Sequence, residues 1–294
     1  MDEKQIAELR RALREAKSLP TLPAIISKLT RMAEDPETTS EQMGKVISKD
    51  HILALKLLKL VNSAFYGFPQ KISSLSNAII LLGFNVIKSL IISSSIFEMM
   101  EEQDLELWEH SLGCAVACSV LAKRLEVKDP EEISTAGLVH DIGKVAIKME
   151  LPKVYKQILE TSNDEDISIL NAEEKILSFS HAQVGSWLSK SWNLPAKLVE
   201  PITCHHHPAK AIEEKLATAI VHFSDILVRG MGYGHGPDIW VPPLSKKAWE
   251  MLNFTPRDLD EIIEEVEEKL WDVKGFSMEI SQEDLNKADL SKEE

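Results

Sequence analysis

The stretch from Asp50 to Gly67, D-H-I-L-A-L-K-L-L-K-L-V-N-S-A-F-Y-G, has the pattern of one helix and its end. Asp50 carries a short acceptor side chain of the kind that caps a helix N-terminus. Four apolar residues then recur at the three- and four-residue spacing of a buried helical stripe: Leu53, Leu57, Leu60 and Val61. Gly67 and the following Pro69 end the regular structure. This stretch predicts an amphipathic helix followed by a polar and aromatic turn.

Most other apolar runs of the chain have the same helical period, and the Val/Ile/Thr alternation typical of strands is missing. Helix starts are marked by capping pairs: Thr39 with Gln42, Asp129-Pro130 with Glu132, Ser180 with Gln183, and Thr255-Pro256 with Asp258. A final helix places five apolar residues on one stripe: Leu259, Ile262, Ile263, Val266 and Leu270. The sequence therefore predicts an all-α protein whose 277–294 end frays.

The composition argues against two classes of protein, membrane-spanning proteins and secreted proteins. With 294 residues, 44% hydrophobic and 27% charged, the chain can bury a substantial core. Its most apolar stretch, Ala78 to Phe97, is interrupted by Asn85 and Lys88, and no basic-then-apolar leader opens the chain. Three cysteines are too few for a disulfide framework. These features predict a cytoplasmic protein that neither spans a membrane nor is secreted.

The charge is acidic and unevenly distributed. The formal net charge is −14, and residues 255–294 hold 14 acidic against 5 basic side chains, so this segment accounts for −9 of it. Affinity for nucleic acid comes mainly from clustered Lys and Arg. The composition therefore argues against a nucleic-acid partner, and the acidic end is interpreted as a solvated face.

Histidines divide the chain. Seven of the nine lie between His110 and His222, and only one precedes residue 100. This shift predicts a helical N-terminal subdomain at 1–100, a histidine-rich helical subdomain at 101–230, and a loop, acidic helix and tail at 231–294. No linker separates the first two, so they are compatible with one continuous helical body. The Gly-rich stretch 229–237 is expected to form a flexible loop near the pocket mouth.

The strongest chemical signal is His140-Asp141, followed by Gly143 and Lys144. Gly143 is expected to help end the helix that carries His140, and at a helix end both side chains can turn towards one ion. Imidazole with carboxylate suits a borderline or hard divalent metal. Any single histidine in this half is more often structural than a ligand, and only the whole set favours a site.

Cys114 and Cys118 are interpreted as small core residues, and His207 as the solvent-facing member of its triplet.

The chain resembles the HDOD domain family in four ordered stretches: Leu19-Pro20-Thr21-Leu22-Pro23, Ile47-Ser48-Lys49-Asp50, Asn62-Ser63-Ala64-Phe65-Tyr66-Gly67 and Ala78-Ile79-Ile80-Leu81-Leu82-Gly83. The resemblance implies an HD-domain-like multi-helix bundle with an N-terminal helical subdomain. It also implies a bacterial regulatory module that acts through protein partners. Many members of the family have lost the metal ligands of the related HD phosphohydrolases.

Similarity to the HD phosphohydrolases implies one metal site formed by four residues: His110, His140, Asp141 and Asp225. Relatives with two metals, such as the HD-GYP group, imply three further ligands: His181, His205 and His206. The resemblance makes Asp141 and Lys144 the candidate catalytic residues, with Lys144 contacting phosphate. The ligand set allows one or two ions of iron, manganese, zinc or nickel. His207-Pro208-Ala209-Lys210 stands where the HD-GYP group has its Gly-Tyr-Pro motif, so cleavage of cyclic dinucleotides is poorly supported.

Two functions stay open at this point. The favoured one is an HDOD-type signal-transduction module with a retained HD-type metal site. The alternative is an active metal-dependent phosphohydrolase that acts on a nucleotide or another small phosphoester. A small phosphorylated ligand is compatible with both.

Overall fold

The computed structural model describes residues 3–271, apart from 16–27, 30, 33–34, 36, 64–65, 98–104, 235–237 and 239. Within these residues the regular elements are helices and no strand occurs, which confirms the all-α prediction. The N-terminal half contains α1 (Glu3–Glu15), α2 (Ser40–Ile47), α3 (His51–Val61) and α4 (Leu75–Phe97). The remainder contains α5 (Leu105–Arg124), α6 (Pro130–Val139), α7 (Ile142–Glu150), α8 (Pro152–Asp164), α9 (Ile169–Leu177), α10 (His181–Ser191), α11 (Ala196–Cys204), α12 (Lys215–Gly230), α13 (Lys246–Leu252) and α14 (256–271).

The predicted caps form, with one exception. Thr39 and Gln42 make a reciprocal capping box, as do Ser180 and Gln183. Asp50 accepts a hydrogen bond from the Leu53 backbone N–H at 3.0 Å. Asp129 makes no side-chain cap hydrogen bond, and the first turn of α6 begins at Pro130 instead.

Asn62, the first residue of the 62–67 stretch that resembles the HDOD family, fixes the end of α3. Its amide donates to the Leu58 and Ile72 carbonyls, and its Oδ1 accepts from the Ile72 backbone N–H at 2.7 Å. The Tyr66 hydroxyl lies buried, 3.3 Å from the Thr135 hydroxyl of α6. Because α6 leads directly to His140, this contact joins the N-terminal helices to the helix that approaches the histidines.

Helix α4 connects the two halves. It packs against α2 and α3 on one side and α6 on the other, and it bends at Gly83, whose φ of 79° and ψ of 161° are non-helical. By length and composition alone Leu75–Ser94 could cross a membrane, but 61% of its apolar window is buried in the protein, as in the core helix of a soluble protein. The division at residues 100 and 230 stays a prediction.

In the histidine-rich half, α5 packs between α6 and α12, α7 packs on α10, and α11 contacts both α10 and α12. Helix α14 docks by its predicted stripe, with Ile262, Val266 and Leu270 buried. The opening motif at 19–23 and the expected fraying at 277–294 lie outside the described residues.

Candidate metal centre

The structure brings together the seven side chains predicted as metal ligands. They come from five places in the helical framework: His110 on α5, His140 and Asp141 between α6 and α7, His181 at the start of α10, His205 and His206 after α11, and Asp225 on α12. Six of them are at most 2% exposed, and His206 is half-buried. Residues far apart in sequence therefore form one closed polar cluster inside an apolar core.

The first donor set consists of His110, Cys114, His140 and Asp225, whose ligand atoms all lie within 4.8 Å of one another. His110 Nε2 is 3.0 Å from Asp225 Oδ1, and His140 Nε2 is 3.8 Å from the same oxygen. Cys114 is fully buried, as predicted for a core residue, but its thiol belongs to this set.

The second donor set consists of Asp141, His181, His205 and His206, again within 4.8 Å of one another. Asp141 Oδ1 is 3.2 Å from His181 Nε2 and 3.6 Å from His205 Nε2. The Nε2 atoms of His181 and His206 are 2.8 Å apart.

Asp141 lies between the two sets. Its Oδ1 faces the second set, whereas its Oδ2 is 3.9 Å from His110 Nε2 and 3.5 Å from His140 Nε2 of the first. A carboxylate that presents one oxygen to each set is suited to bridge two ions. Lys144 Nζ donates to Oδ2 at 2.7 Å, so this oxygen already has a cationic partner.

Outer hydrogen bonds aim the imidazole rings into the centre. His140 Nδ1 pairs with the Gly137 carbonyl at 2.7 Å, and His205 Nδ1 pairs with the Ile202 carbonyl at 2.8 Å. Such partners fix the tautomer and leave Nε2 available to a metal. His181 Nδ1 has a stronger partner, the Glu173 carboxylate at 2.6 Å, which also accepts the His181 backbone N–H at 2.8 Å.

Glu173 is a residue of the centre that was not predicted from the sequence. It is fully buried on α9, where it shares the apolar face of Ile169, Ala172 and Ile176. A charged residue on the apolar stripe of an amphipathic helix is the signal that could have identified it, because such a carboxylate needs a buried partner.

Several buried polar atoms of the centre have no hydrogen-bond partner, and this indicates that the residues are suited to hold a divalent transition metal. His140 Nε2, His205 Nε2 and Asp141 Oδ1 are buried and have no hydrogen-bond partner. Buried polar atoms are almost always paired in folded proteins. All three point into the cluster and belong to residue types that ligate transition metals, so a bound ion would satisfy them together.

Arg229 is a second functional residue that sequence analysis missed. The Gly-rich stretch led to the expectation of a loop from residue 229, but Arg229 lies in the last turn of α12 and is 5% exposed. Its Nε is 2.7 Å from Asp225 Oδ1, and its Nη2 is 3.5 Å from Asp141 Oδ2. Its Nη1 donates to the Asp238 carbonyl at 3.2 Å. The i, i+4 spacing of Asp225 and Arg229 on one helix is the sequence signal for this pair.

Burial and charge set the protonation states. Burial lowers the pKa of His110 and of His205 to about 4. Burial would raise the pKa of both aspartates, but Arg229 holds that of Asp225, and Lys144 that of Asp141, well below the usual range. Neutral imidazoles with ionised carboxylates are the forms that bind metal. His181 differs: burial opposes its charged form, but the Glu173 carboxylate raises its pKa to about 9.

Gly143 has a different role from the predicted one. It lies inside the first turn of α7 and does not end the helix that carries His140, because α6 stops at Val139. A Cβ at this position would lie 1.9 Å from the His181 carbonyl oxygen, so glycine is needed for α7 to approach the start of α10.

Two other histidines of the histidine-rich half, His207 and His222, lie outside the donor sets. His222 is structural: its Nδ1 pairs with the His205 carbonyl at 2.6 Å, and its Nε2 accepts the Ser245 backbone N–H at 2.9 Å. His207 is exposed, as predicted.

Comparison with known proteins gives the family. The HDOD domain description matches residues 19–208, which is well over half of the chain, and the chain belongs to this family. It spans 42% and 29% of the length of two curated bacterial relatives, at 26% and 31% identity.

Solved structures share the fold. An HDOD domain protein from Geobacter sulfurreducens is 26% identical with a TM-score of 0.61, covering 94% of this chain and 95% of its own. A proposed signal transduction protein from Marinobacter aquaeolei gives a TM-score of 0.70 at 16% identity, covering 94% and 65%. A proposed metal-dependent phosphohydrolase from Shewanella amazonensis gives 0.58 at 15% identity, covering 91% and 98%. The last two likenesses concern the fold alone.

Proposed function

We propose that this chain is an HDOD-type bacterial signalling module of the cytoplasm that holds one or two divalent transition-metal ions in the centre around Asp141. The observation that carries the proposal is the convergence of two four-donor sets on one carboxylate, with His140 Nε2, His205 Nε2 and Asp141 Oδ1 buried and unpaired. Iron, manganese, zinc and nickel all suit this mixture of imidazole and carboxylate.

The closure of the centre favours a regulatory role over catalysis. Lys144 pairs with Asp141 and Arg229 pairs with Asp225, the Asp238 carbonyl accepts a hydrogen bond from Arg229, and the Ser245 backbone N–H donates to His222. Six of the seven donors are at most 2% exposed, so a substrate could reach them only if the surrounding residues moved. The ligands come from five places in the helical framework, so metal binding would depend on how the helices of the histidine-rich half are arranged. A protein partner would then recognise the arrangement that the metal stabilises. Ions that bind the native state alone stabilise it by mass action.

Phosphohydrolysis is the second candidate, and the charge of the centre favours it. Asp141, Asp225, Asp238 and Glu173 oppose Lys144 and Arg229, which leaves a formal charge of −2 once His181 has released its proton, as metal binding requires. Two divalent ions would change this to +2, which attracts a phosphate dianion. Such ions, when bound, supply an activated water and neutralise charge on the phosphate. Lys144 now donates to Asp141 Oδ2. If Asp141 bound an ion instead, the Lys144 ammonium would be available to contact a phosphate oxygen.

Turnover by the metal-loaded full-length chain separates these two candidates. The substrates are p-nitrophenyl phosphate and a panel of nucleotides, and the variants are Asp141→Asn and Lys144→Gln. His207→Ala is the matched control, because His207 is exposed and outside the centre. A signalling module should give no hydrolysis that responds to Asp141→Asn. Metal-dependent turnover that is lost in both variants and kept in the control would instead establish the phosphohydrolase.

A further inference from the structure

We infer that Cys114 is a protein ligand of the first donor set, beside His110, His140 and Asp225, so that this set selects a thiolate-preferring ion such as zinc over manganese. The inference rests on the proposed metal centre and adds a ligand to it. The HD-type resemblance supplies only histidines and aspartates, and nothing in the sequence pattern distinguished Cys114 from Cys118.

Helical spacing places Cys114 beside the first histidine. Cys114 follows His110 by one turn of α5, so both side chains project from the same face. Its Sγ is 3.5 Å from His110 Nε2, and it lies within 4.8 Å of the ligand atoms of His140 and Asp225.

The sulfur-to-nitrogen distance is what a shared zinc ion requires. With bonds of about 2.3 Å to sulfur and about 2.05 Å to nitrogen at a tetrahedral angle, the two ligand atoms would be about 3.6 Å apart. The observed separation is 3.5 Å, at which the two atoms form a hydrogen bond in the metal-free protein and lie close enough to share an ion. His140 Nε2 is a buried nitrogen of this set without a hydrogen-bond partner and lies within 4.8 Å of the Cys114 sulfur, which is independent support for a ligand there.

Cys118 provides an internal comparison. It is equally buried and lies one turn further along α5, but its thiol donates to the Ser224 hydroxyl at 3.3 Å and it belongs to neither donor set. Of the two cysteines on this helix, only Cys114 faces the centre.

Binding through Cys114 exchanges one proton for one bond. The thiol S–H bond breaks, the sulfur keeps the electron pair and donates it to the ion, and the proton leaves to solvent. No change of oxidation state is involved. Thiolate ligands favour zinc and ferrous iron, whereas manganese prefers oxygen ligands.

X-ray absorption at the zinc edge tests the assignment on the full-length, zinc-loaded chain, with zinc content measured on the same samples. We expect one sulfur scatterer at about 2.3 Å beside nitrogen and oxygen at about 2.0–2.2 Å. The sulfur signal should persist in Cys118→Ser and disappear in Cys114→Ser. If Cys114→Ser does not fold, the double variant Cys118→Ser/Cys204→Ser, in which Cys114 is the remaining cysteine, must keep the signal.

A competition experiment gives a second readout. Cys114→Ser should weaken zinc binding by at least the about 10- to 100-fold that loss of an outer-shell partner costs, and it should change manganese binding little, whereas Cys118→Ser should change neither. Bound zinc with nitrogen and oxygen neighbours alone would overturn the role of Cys114 and leave the metal centre intact. A chain that binds no metal would overturn the centre itself.

Discussion

Replacing Arg229 with methionine removes the cation that neutralises the carboxylates of the centre while keeping an unbranched side chain. The guanidinium lies 2.7 Å from Asp225 and 3.5 Å from Asp141, and all three residues are at most 5% exposed. Removing one partner of a buried ion pair costs about 3–5 kcal/mol, because the other charge stays buried and unpaired. Arg229→Met should therefore lower the free energy of unfolding of the metal-free protein by this amount.

In the metal-loaded protein the ions compensate Asp141 and Asp225, so the loss is confined to Asp238, whose carbonyl and carboxylate lie 3.2 Å and 3.4 Å from Arg229 Nη1. A hydrogen bond to a charged group contributes about 1.5–3 kcal/mol. The difference of about 1.5–2 kcal/mol appears in the thermodynamic cycle as tighter metal binding, by about 10- to 30-fold at 1.4 kcal/mol for each factor of ten. Urea unfolding measures the free energy of unfolding of the metal-free and the metal-loaded protein, and chelator competition measures the metal affinity.

Arg124→Met is the matched control. Arg124 lies in the last turn of α5, pairs with Glu261 and Glu265 and belongs to neither donor set, and its side chain is 29% exposed. An exposed pair contributes about 0–1 kcal/mol, and this loss should be the same with and without metal. Equal destabilisation of both forms by Arg229→Met, with unchanged metal affinity, would show that Arg229 does not compete with an ion for the carboxylates.

Two further substitutions test how the centre is supported. Glu173→Gln removes the carboxylate on His181 Nδ1 and should weaken metal binding about 10- to 100-fold in chelator competition; unchanged affinity would contradict a positioning role. Since Glu173 raises the pKa of His181 to about 9 against burial, from 6.5, their pairing stabilises the metal-free protein fully below pH 6.5, and this is lost as the pH rises through 9. Urea unfolding should therefore show Glu173→Gln to be more destabilising at pH 6 than at pH 10, and an equal loss would contradict the pairing. Gly143→Ala places a Cβ 1.9 Å from the His181 carbonyl oxygen and should unfold or displace the start of α10, whereas Gly230→Ala meets nothing within 4 Å and should be tolerated in thermal unfolding and metal content. A stable, metal-binding Gly143→Ala protein would refute the close packing of α7 on α10.

The fold was predictable because its determinants are local. Capping at Thr39 and Asp50 and the stripe of α14 follow from residues a few positions apart. The predicted donor set converges because each of its members sits at or near a helix end or on an inward face, and the resemblance gave their order along the chain. The metal itself stays a prediction.

What the sequence could not provide are the partners that exist only in three dimensions. The Glu173 carboxylate meets His181 across the turn that joins α9 to α10, and Arg229 of α12 reaches Asp141 at the start of α7. Gly143 looked like a helix terminator because glycine has that role most often, whereas here it permits a close approach between helices.

Metal content is the most direct test of the central claim. Full-length protein purified without a metal-chelating tag is analysed for transition metals, alongside Asp141→Ala, His140→Ala and the exposed control His207→Ala. We predict about one or two equivalents in the native protein and the control, and loss of metal in both centre variants. Native protein that is metal-free, and that stays so after incubation with iron, manganese and zinc, would contradict the account.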